Sequence, residues 1–95
     1  MRPFFVYIIT NKPNGTLYTG MTDDLERRMF QHKQGLVPGF ARKYSLKTLV
    51  WYEIGDSREG VLLRERQFKK WNRAWKIRLI TETNPAWRDL TEDFG

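Results

Sequence analysis

The chain has 95 residues, 40% of them hydrophobic and 15% aromatic, which suits one globular domain and is too apolar for a disordered polymer. It contains no cysteine, so a disulfide framework and a thiolate metal site are excluded, and no apolar run approaches the ~20 residues of a membrane helix. The 17 Lys and Arg residues outnumber the 11 Asp and Glu residues, and this net charge of +6 favours a polyanionic partner such as nucleic acid.

Charge alone is equally consistent with a soluble surface that is rich in lysine. The N-terminal sequence has no signal-peptide pattern, because its apolar run is short and no small-residue cleavage site follows it. We therefore expect a cytoplasmic protein that does not associate with a membrane.

The first predicted element is a β-hairpin. Residues 4–9 are apolar or aromatic throughout, which is typical of a central strand buried on both faces. The Lys12-Pro13-Asn14-Gly15 stretch favours a turn, and residues 16–20 form the returning strand. An even-numbered loop of two or four residues places Tyr7 and Tyr18 on the same face of the sheet, whereas a three-residue loop separates them. We expect the even-numbered loop.

Three helices and one further strand are predicted downstream. The expected bounds are 23–34 for the first helix, 46–54 for the third strand, about 57–71 for the second helix and 74–83 for the third. A basic loop, residues 35–44, precedes the third strand. The order β-β-α-β-α-α predicts an α/β fold of the α+β kind, a mostly antiparallel three-stranded sheet flanked by helices, with residues 1–95 as a single domain.

Polar residues occupy core-facing positions of the first predicted helix. With Leu25 at the centre of the buried stripe, the positions i+3, i+4 and i+7 are Arg28, Met29 and His32. Arg28 and His32 stand one turn apart and can act on one object, whereas Arg27 projects to the opposite side. The structural alternative is that Arg28 extends past the edge of the core and that His32 bonds a carbonyl group.

The second predicted helix repeats the anomaly at Glu65, which lies between Val61 and Phe68 on the apolar stripe. An isolated buried carboxylate is very costly, so Glu65 should be paired or should hold a metal ion. The structural alternative is a salt bridge to Arg28 or to a neighbouring arginine.

Five polar or phenolic side chains are expected to point toward one sheet face or its edge: Tyr7, Tyr18, Arg28, His32 and Glu65. Their chemistry suits phosphodiester hydrolysis, and it supports neither a Ser-His-Asp mechanism nor a two-metal carboxylate cluster. In such a site the arginine stabilises charge on the phosphate and the carboxylate holds one divalent cation. A phenol or an imidazole deprotonates the attacking water.

Other residues are candidates for contacts with nucleic acid. Arg42 and Lys43 lie in the basic loop, and Lys69, Lys70 and Arg73 lie near the end of the second helix. These five side chains contact backbone phosphates if DNA binds, and otherwise form a solvated surface. Trp71, Trp75 and Trp87 could stack on bases, but the helical spacing of the first two is more typical of helix packing.

These residues resemble the motifs of the GIY-YIG nuclease superfamily, and the resemblance covers nearly the whole chain. The matching segments, in chain order, are Val6-Tyr7-Ile8, Tyr18-Thr19-Gly20, the arginine-bearing helix with Arg28 and His32, the Glu65 helix, and Asn84-Pro85-Ala86-Trp87. The last of these resembles the closing segment of small stand-alone members. Val6 and Thr19 depart from the glycine and isoleucine of the family motifs, but neither position supplies a reacting group.

The resemblance implies an endonuclease that cuts one DNA strand, selected by structure or by sequence, with one divalent ion such as Mg²⁺ or Mn²⁺. By analogy, Tyr7 or Tyr18 helps to activate the water, assisted by His32. Arg28 contacts the phosphate and Glu65 is the sole protein ligand of the metal. Asn84 corresponds either to a late family asparagine at the nucleic acid or to a pre-proline turn residue.

The chain ends close to the end of the catalytic module, so three interpretations stay open. The protein cuts branched or damaged DNA weakly by itself, needs a partner, or has lost its activity. In the last case it serves as a nucleic-acid-binding module or as a domain whose aromatic surface docks a larger repair factor.

Overall fold

The computed structural model describes residues 3–94 and arranges them as a three-stranded antiparallel sheet with helices on both faces. The strands are β1 (Phe4–Thr10), β2 (Leu17–Thr22) and β3 (Thr48–Gly55). The helices are α1 (Leu25–Lys33), α2 (Phe40–Lys43), α3 (Arg58–Lys70) and α4 (Arg73–Thr83), followed by a 3₁₀ helix, Leu90–Asp93. The predicted class and the order of its six main elements are confirmed.

The hairpin register places the two tyrosines as predicted. β1 is the central strand, and in its pairing with β2, Tyr7 stands opposite Gly20 and Tyr18 opposite Ile9. Because side chains alternate between faces along a strand, Tyr7 and Tyr18 lie on the same face. The connecting loop, residues 11–16, is even-numbered, but it is longer than the predicted two or four residues.

The additional loop residues have a local cause. The predicted turn is present, since the amide of Gly15 donates to the carbonyl of Lys12 at 2.8 Å. Outside it, the side-chain oxygen of Asn11 accepts a hydrogen bond from the amide of Thr16 at 3.0 Å. This side-chain contact replaces a ladder hydrogen bond, so the strands begin to pair one residue further from the turn on each side.

Both faces of the sheet are buried, as the apolar β1 strand predicts. On one face, Val6 and Ile8 pack in a core with residues of α3 and α4, which include Phe68 and Ile80. On the opposite face, the second core contains Tyr7, Ile9, Leu25, Met29, Ala41, Leu46 and Leu49. α1 and α2 therefore cover one face, and α3 and α4 cover the other.

The first helix is shorter than predicted. β2 extends to Thr22, which pairs with Phe5, and the helix therefore starts at Leu25 and not at residue 23. Asp24 is its N-cap, and the side chain accepts from the amide of Arg27 at 3.1 Å. The helix ends at Lys33, and the following Gly35 has a φ of 69°, as expected of a glycine after a helix C-terminus.

The predicted basic loop contains the short helix α2, which the sequence prediction missed. A four-residue helix is too short to show a 3.6-residue periodicity, and the Pro38-Gly39 pair indicated a loop. The amide of Leu46 donates to the carbonyl of Ala41 at 2.9 Å, so the buried Leu46 completes this segment. The third strand consequently begins at Thr48, two residues later than predicted. None of the helices within residues 3–94 has both the length and the apolar content needed to cross a bilayer.

Candidate active site

The side chain of Tyr7 extends from the central strand toward the β2 edge of the sheet. A Cβ atom at Gly20, the residue opposite on β2, would lie 2.5 Å from Cζ of Tyr7, so only glycine leaves room for the ring. The phenol therefore crosses β2, which is an edge strand. Tyr7 is 1% exposed, and its position is fixed by packing.

The hydroxyl group of Tyr7 is hydrogen-bonded to Nε2 of His32 at a distance of 2.9 Å. His32 faces the sheet because Leu25 and Met29, on the same side of α1, are buried in the core. Its partner is thus a phenol and not the carbonyl group considered as the structural alternative. Tyr18 completes a cluster of three rings, with centroids 6.4 Å from Tyr7 and 6.1 Å from His32.

The electrostatic surroundings keep this pair uncharged near neutral pH. Burial, with a contribution from the charge of Arg28, lowers the pKa of His32 to about 4, so the imidazole is neutral. Burial raises the pKa of Tyr7 above its usual value, and the neighbouring Tyr18 and Glu65 raise it further, whereas Arg28 opposes the shift. The Tyr7 phenol thus lies within electrostatic reach of both the guanidinium and the carboxylate.

Arg28 borders a small polar cleft beside this cluster. The cleft has a volume of about 210 Å³ and is lined by Thr22, Asp23, Asp24, Arg27, Arg28 and Gln31. Arg28 is half-buried, whereas Arg27 is exposed, so the two adjacent arginines differ as the helical pattern predicts. The guanidinium group can therefore contact an anion that enters from solvent.

Glu65 is a largely buried carboxylate, with 14% of its side chain exposed. Its ion pair is with Nζ of Lys69, one helical turn further on, at 3.8 Å. The structural alternative of an arginine partner is therefore wrong for this side chain as the structure describes it. A separation of 3.8 Å is longer than a hydrogen bond. Lone pairs of the Glu65 carboxylate are therefore available to another ligand.

The five predicted site residues come from the sheet and from helices on both of its faces. Tyr7, Tyr18 and the α1 residues share one face of the sheet, but Glu65 is on α3, which packs on the other face against β1 and β2. The α3 helix nevertheless contacts both β1 and β2, the strands that carry the two tyrosines, and the charge of Glu65 raises the pKa of Tyr7. The candidate site is therefore at the β2 edge of the sheet and not on one of its faces. The sequence had predicted either a sheet face or its edge.

The donor set fits one mostly hydrated metal ion. Residues 3–94 contain no group of three or more His, Cys, Asp or Glu side chains able to surround a metal. Mg²⁺ does not require such a group, because it commonly binds through one or two carboxylates, keeps several waters and uses substrate phosphates as ligands. Glu65 can supply the protein ligand in this arrangement.

The basic residues predicted to contact nucleic acid are all exposed, and they form two groups. Arg42 and Lys43 lie on α2, on the same side of the sheet as Tyr18. Lys69, Lys70 and Arg73 lie around the junction of α3 and α4. Lys69 also pairs with Glu65, and the Arg73 guanidinium donates to the carbonyl of Asn14 in the hairpin loop.

Asn84 is an interior residue. It is 4% exposed, and its Nδ2 donates to the carbonyls of Val50 at 3.1 Å and Arg88 at 2.9 Å. Its Oδ1 accepts from the amide of Arg88 at 3.2 Å. These bonds attach the segment after α4 to β3, so the second reading of Asn84, as a turn residue, agrees with the structure. The alternative prediction, a contact with nucleic acid, is not supported, because the Asn84 side chain is buried and bonded within the protein.

Two features near the tyrosines were missed from the sequence. Gly20 is needed for the path of the Tyr7 phenol, and a glycine inside a predicted strand could have signalled such a close approach. Phe40 stacks on Tyr18 with ring centroids 6.5 Å apart and an angle of 23° between the planes. This contact spans a loop, and no local pattern predicts it.

Trp71 packs against Phe68 with ring centroids 4.6 Å apart, which agrees with the packing role preferred from the sequence. Trp75 is 56% exposed, so it is not a core residue, but its ring packs edge-on against Trp71 with centroids 5.9 Å apart.

Known proteins resemble the chain over most of its length. The model of the GIY-YIG catalytic domain matches residues 3–78. A UPF0213 protein of Syntrophus aciditrophicus is 41% identical over 85 residues, which cover 85% of this chain and 92% of that protein. A UPF0213 protein of Staphylococcus saprophyticus is 33% identical over 82 residues, covering 86% of this chain and 99% of that one. The solution NMR structure of a UPF0213 protein from Bacillus halodurans covers 95% of both chains with a TM-score of 0.58 and 28% identity.

Proposed function

Because this chain belongs to the GIY-YIG catalytic domain family, we propose that it is a divalent-metal-dependent endonuclease that hydrolyses phosphodiester bonds of DNA. One observation carries the proposal. The Tyr7 hydroxyl is bonded to a neutral imidazole and lies within electrostatic reach of a guanidinium and a carboxylate. These side chains supply the groups that the proposal requires, namely a general base, a phosphate-binding cation and a metal ligand.

The Tyr7–His32 pair provides a route for the proton of the attacking water. Tyr7 is protonated at neutral pH, so it cannot act as a phenolate. It can accept the water proton on its oxygen while its own proton passes to Nε2 of His32 over the 2.9 Å hydrogen bond. The hydroxide that results attacks phosphorus, and the bond from phosphorus to the leaving oxygen breaks. The leaving oxygen takes up a proton from solvent, and His32 afterwards releases its proton to solvent.

Arg28 favours this proton transfer when the phosphate is present. In the free protein its positive charge disfavours an imidazolium at His32. When a phosphate occupies the cleft, negative charge that develops during attack compensates the guanidinium, and a charged His32 becomes less costly. The base is therefore activated mainly while substrate is bound.

Glu65 is the residue that would hold the divalent ion. Its side chain is 14% exposed, and α3, which carries it, packs against the strands of Tyr7 and Tyr18. When bound there, a divalent cation neutralises charge on the phosphate and on the leaving oxygen. In the free protein this carboxylate pairs with Nζ of Lys69 at 3.8 Å.

The proposed substrate is DNA that departs from a regular duplex, such as a fork or a loop. The net charge of +6 and the exposed residues Arg42 and Lys43 on the Tyr18 side favour a polyanion. A role in DNA repair or recombination, alone or with a larger repair protein, follows from that choice of substrate.

The proposal is tested by incubating the protein with forked, looped and supercoiled DNA, with and without Mg²⁺. We expect strand cutting that requires the metal. Arg28→Ala and Glu65→Ala should abolish it, while salt-dependent binding of the same DNA stays largely intact. Glu82→Gln is the matched control, because Glu82 lies on α4 and pairs with Arg78 at the surface.

Two results would contradict the proposal. Cutting that persists in both site variants indicates a contaminating nuclease. Metal-independent, salt-dependent binding by the wild-type protein with no cutting on any of the three substrates identifies a non-catalytic nucleic-acid-binding module.

A further inference from the structure

A row of aromatic rings leads from the candidate active site to the surface. Tyr18 stacks on Phe40, and Phe40 contacts Tyr44 with centroids 4.7 Å apart. Phe40 is 47% exposed and Tyr44 is 43% exposed. Ala41, which lies between them in sequence, is buried in the core, so this segment is anchored against the sheet.

The sequence segment that carries these rings has no acidic residue between Glu26 and Glu53 and contains six lysines and arginines, namely Arg27, Arg28, Lys33, Arg42, Lys43 and Lys47. Of these, Lys33 is paired with Asp89. Nζ of Lys43 lies 5.4 Å from the centroid of the Tyr44 ring. Exposed aromatic rings among cations are the pattern by which proteins bind single-stranded nucleic acid, with bases on the rings and phosphates at the cations.

The position of these aromatic rings next to the candidate active site indicates which kind of DNA they bind. Its inner end is Tyr18, whose ring is 6.4 Å from that of Tyr7, so a base on the outer rings belongs to a nucleotide close to the reacting phosphate. A base reaches a ring face only when it is unstacked from its neighbours and is free of its pairing partner. Regular duplex DNA does not meet this condition.

We propose that Phe40 and Tyr44 form a base-stacking platform for a single-stranded segment of DNA next to the cut phosphate, with Arg42 and Lys43 at its backbone. This inference rests on the proposed function and gives it a substrate class, namely DNA with unpaired nucleotides at the cleavage position. Phe40 also supports Tyr18 through the stacked contact and is in that respect a positioning residue.

The test compares two probes of equal charge. One is a single-stranded oligothymidylate, and the other is an abasic deoxyribose-phosphate strand of the same length. Binding is measured without metal at several salt concentrations. The wild-type protein should bind the thymidylate more tightly, because only this probe has bases that stack on the rings, whereas phosphate contacts are equal in the two probes.

The variants are Phe40→Leu and Tyr44→Leu, which keep an apolar side chain and remove the ring. Each should reduce the preference for thymidylate over the abasic strand by roughly 5- to 10-fold and leave abasic binding unchanged. A residue with a merely structural role would alter binding of both probes alike. Trp75→Leu is the matched control, since Trp75 is 56% exposed on α4, and it should keep the full preference.

Two outcomes would overturn the inference. One is equal binding of both probes by the wild-type protein, and the other is a preference that Trp75→Leu removes and the α2 variants retain. The proposed function fails separately. If base-dependent binding through Phe40 and Tyr44 is found but no DNA is cut with Mg²⁺, the stacking inference is supported and the proposed nuclease activity is wrong. If cutting occurs without base preference, the nuclease activity is supported and the stacking inference is wrong.

Discussion

The phenol of Tyr7 lies across Gly20, its partner in the antiparallel pairing of the central strand with the edge strand. This crossing carries the hydroxyl group from a buried strand to the edge where α1 and α3 both contribute polar side chains. A glycine with no left-handed φ is required here because of space and not because of backbone conformation. The candidate site therefore depends on a residue that has no functional group.

Gly20→Ala tests this dependence. The new methyl group would lie 2.5 Å from Cζ of Tyr7, so we expect a loss of roughly 1–3 kcal/mol in the free energy of unfolding, measured by urea denaturation. Cutting should also fall, because the hydroxyl is displaced from His32. In a Tyr7→Val background the ring is absent, and Gly20→Ala should then cost much less. An equal cost in both backgrounds would show that the ring does not restrict Gly20.

The Tyr7 hydroxyl is expected to carry the proton, whereas Tyr18 acts through its ring. Tyr7→Phe removes the hydrogen bond to His32 and should lower kcat by roughly 10²- to 10⁴-fold. Tyr18→Phe keeps the stacked contact with Phe40 and should lower kcat less. Single-turnover cutting of one forked substrate measures both. A larger loss in Tyr18→Phe would assign the proton transfer to Tyr18.

His32 should make stability dependent on pH in a defined interval. Its pKa is about 4 in the folded protein and about 6.5 in the unfolded chain. Below pH 6.5 the unfolded chain takes up a proton first, so the free energy of unfolding falls as the pH is lowered to about 4 and then levels. The loss attributable to His32 is roughly 2–3 kcal/mol.

His32→Gln isolates this contribution, because acidic groups such as Asp89 also titrate at low pH and remain in the variant. Urea denaturation of both proteins between pH 7 and pH 4 gives the comparison. The wild-type protein should lose more stability than the variant over this interval. Parallel curves would mean that His32 is not held neutral by its surroundings.

Asn84 should affect stability and not DNA affinity. Asn84→Ala removes the side-chain bonds to Val50 and Arg88 and leaves buried backbone groups unpaired, at a cost of roughly 1–3 kcal/mol in unfolding free energy. Arg42→Ala is the contrasting variant, since Arg42 is exposed on α2. It should leave stability nearly unchanged, weaken DNA binding and lower the salt dependence by about one counterion. Weaker DNA binding by folded Asn84→Ala would restore Asn84 as a contact.

The sequence was sufficient to predict those elements of the fold whose hydrophobic residues repeat at a regular spacing. The apolar β1 strand, the even hairpin and the long helices each repeat a local pattern, and the polar positions Arg28, His32 and Glu65 stand out against those patterns. The short helix α2 and the 3₁₀ helix at Leu90–Asp93 are only four residues each and show no period.

Long-range relationships were less accessible than local ones. Glu65 approaches the site from the opposite layer because α3 packs against the β2 half of the sheet, and no spacing within α3 specifies that packing. The stacking of Phe40 on Tyr18 also depends on tertiary structure. The turn role of Asn84 was one of two alternatives predicted for this residue, but its burial was not predicted, because it depends on contacts with β3.

The most direct measurement compares nicking rates of supercoiled plasmid, with Mg²⁺, for the wild-type protein, Tyr7→Phe, Glu65→Gln and the double variant. Groups that act as one catalytic unit are strongly non-additive. Each single variant should lose roughly 10²-fold or more, and the double variant should be no slower than the slower single variant. Losses that multiply in the double variant, or a wild-type protein that does not nick, would contradict a shared catalytic centre at Tyr7 and Glu65.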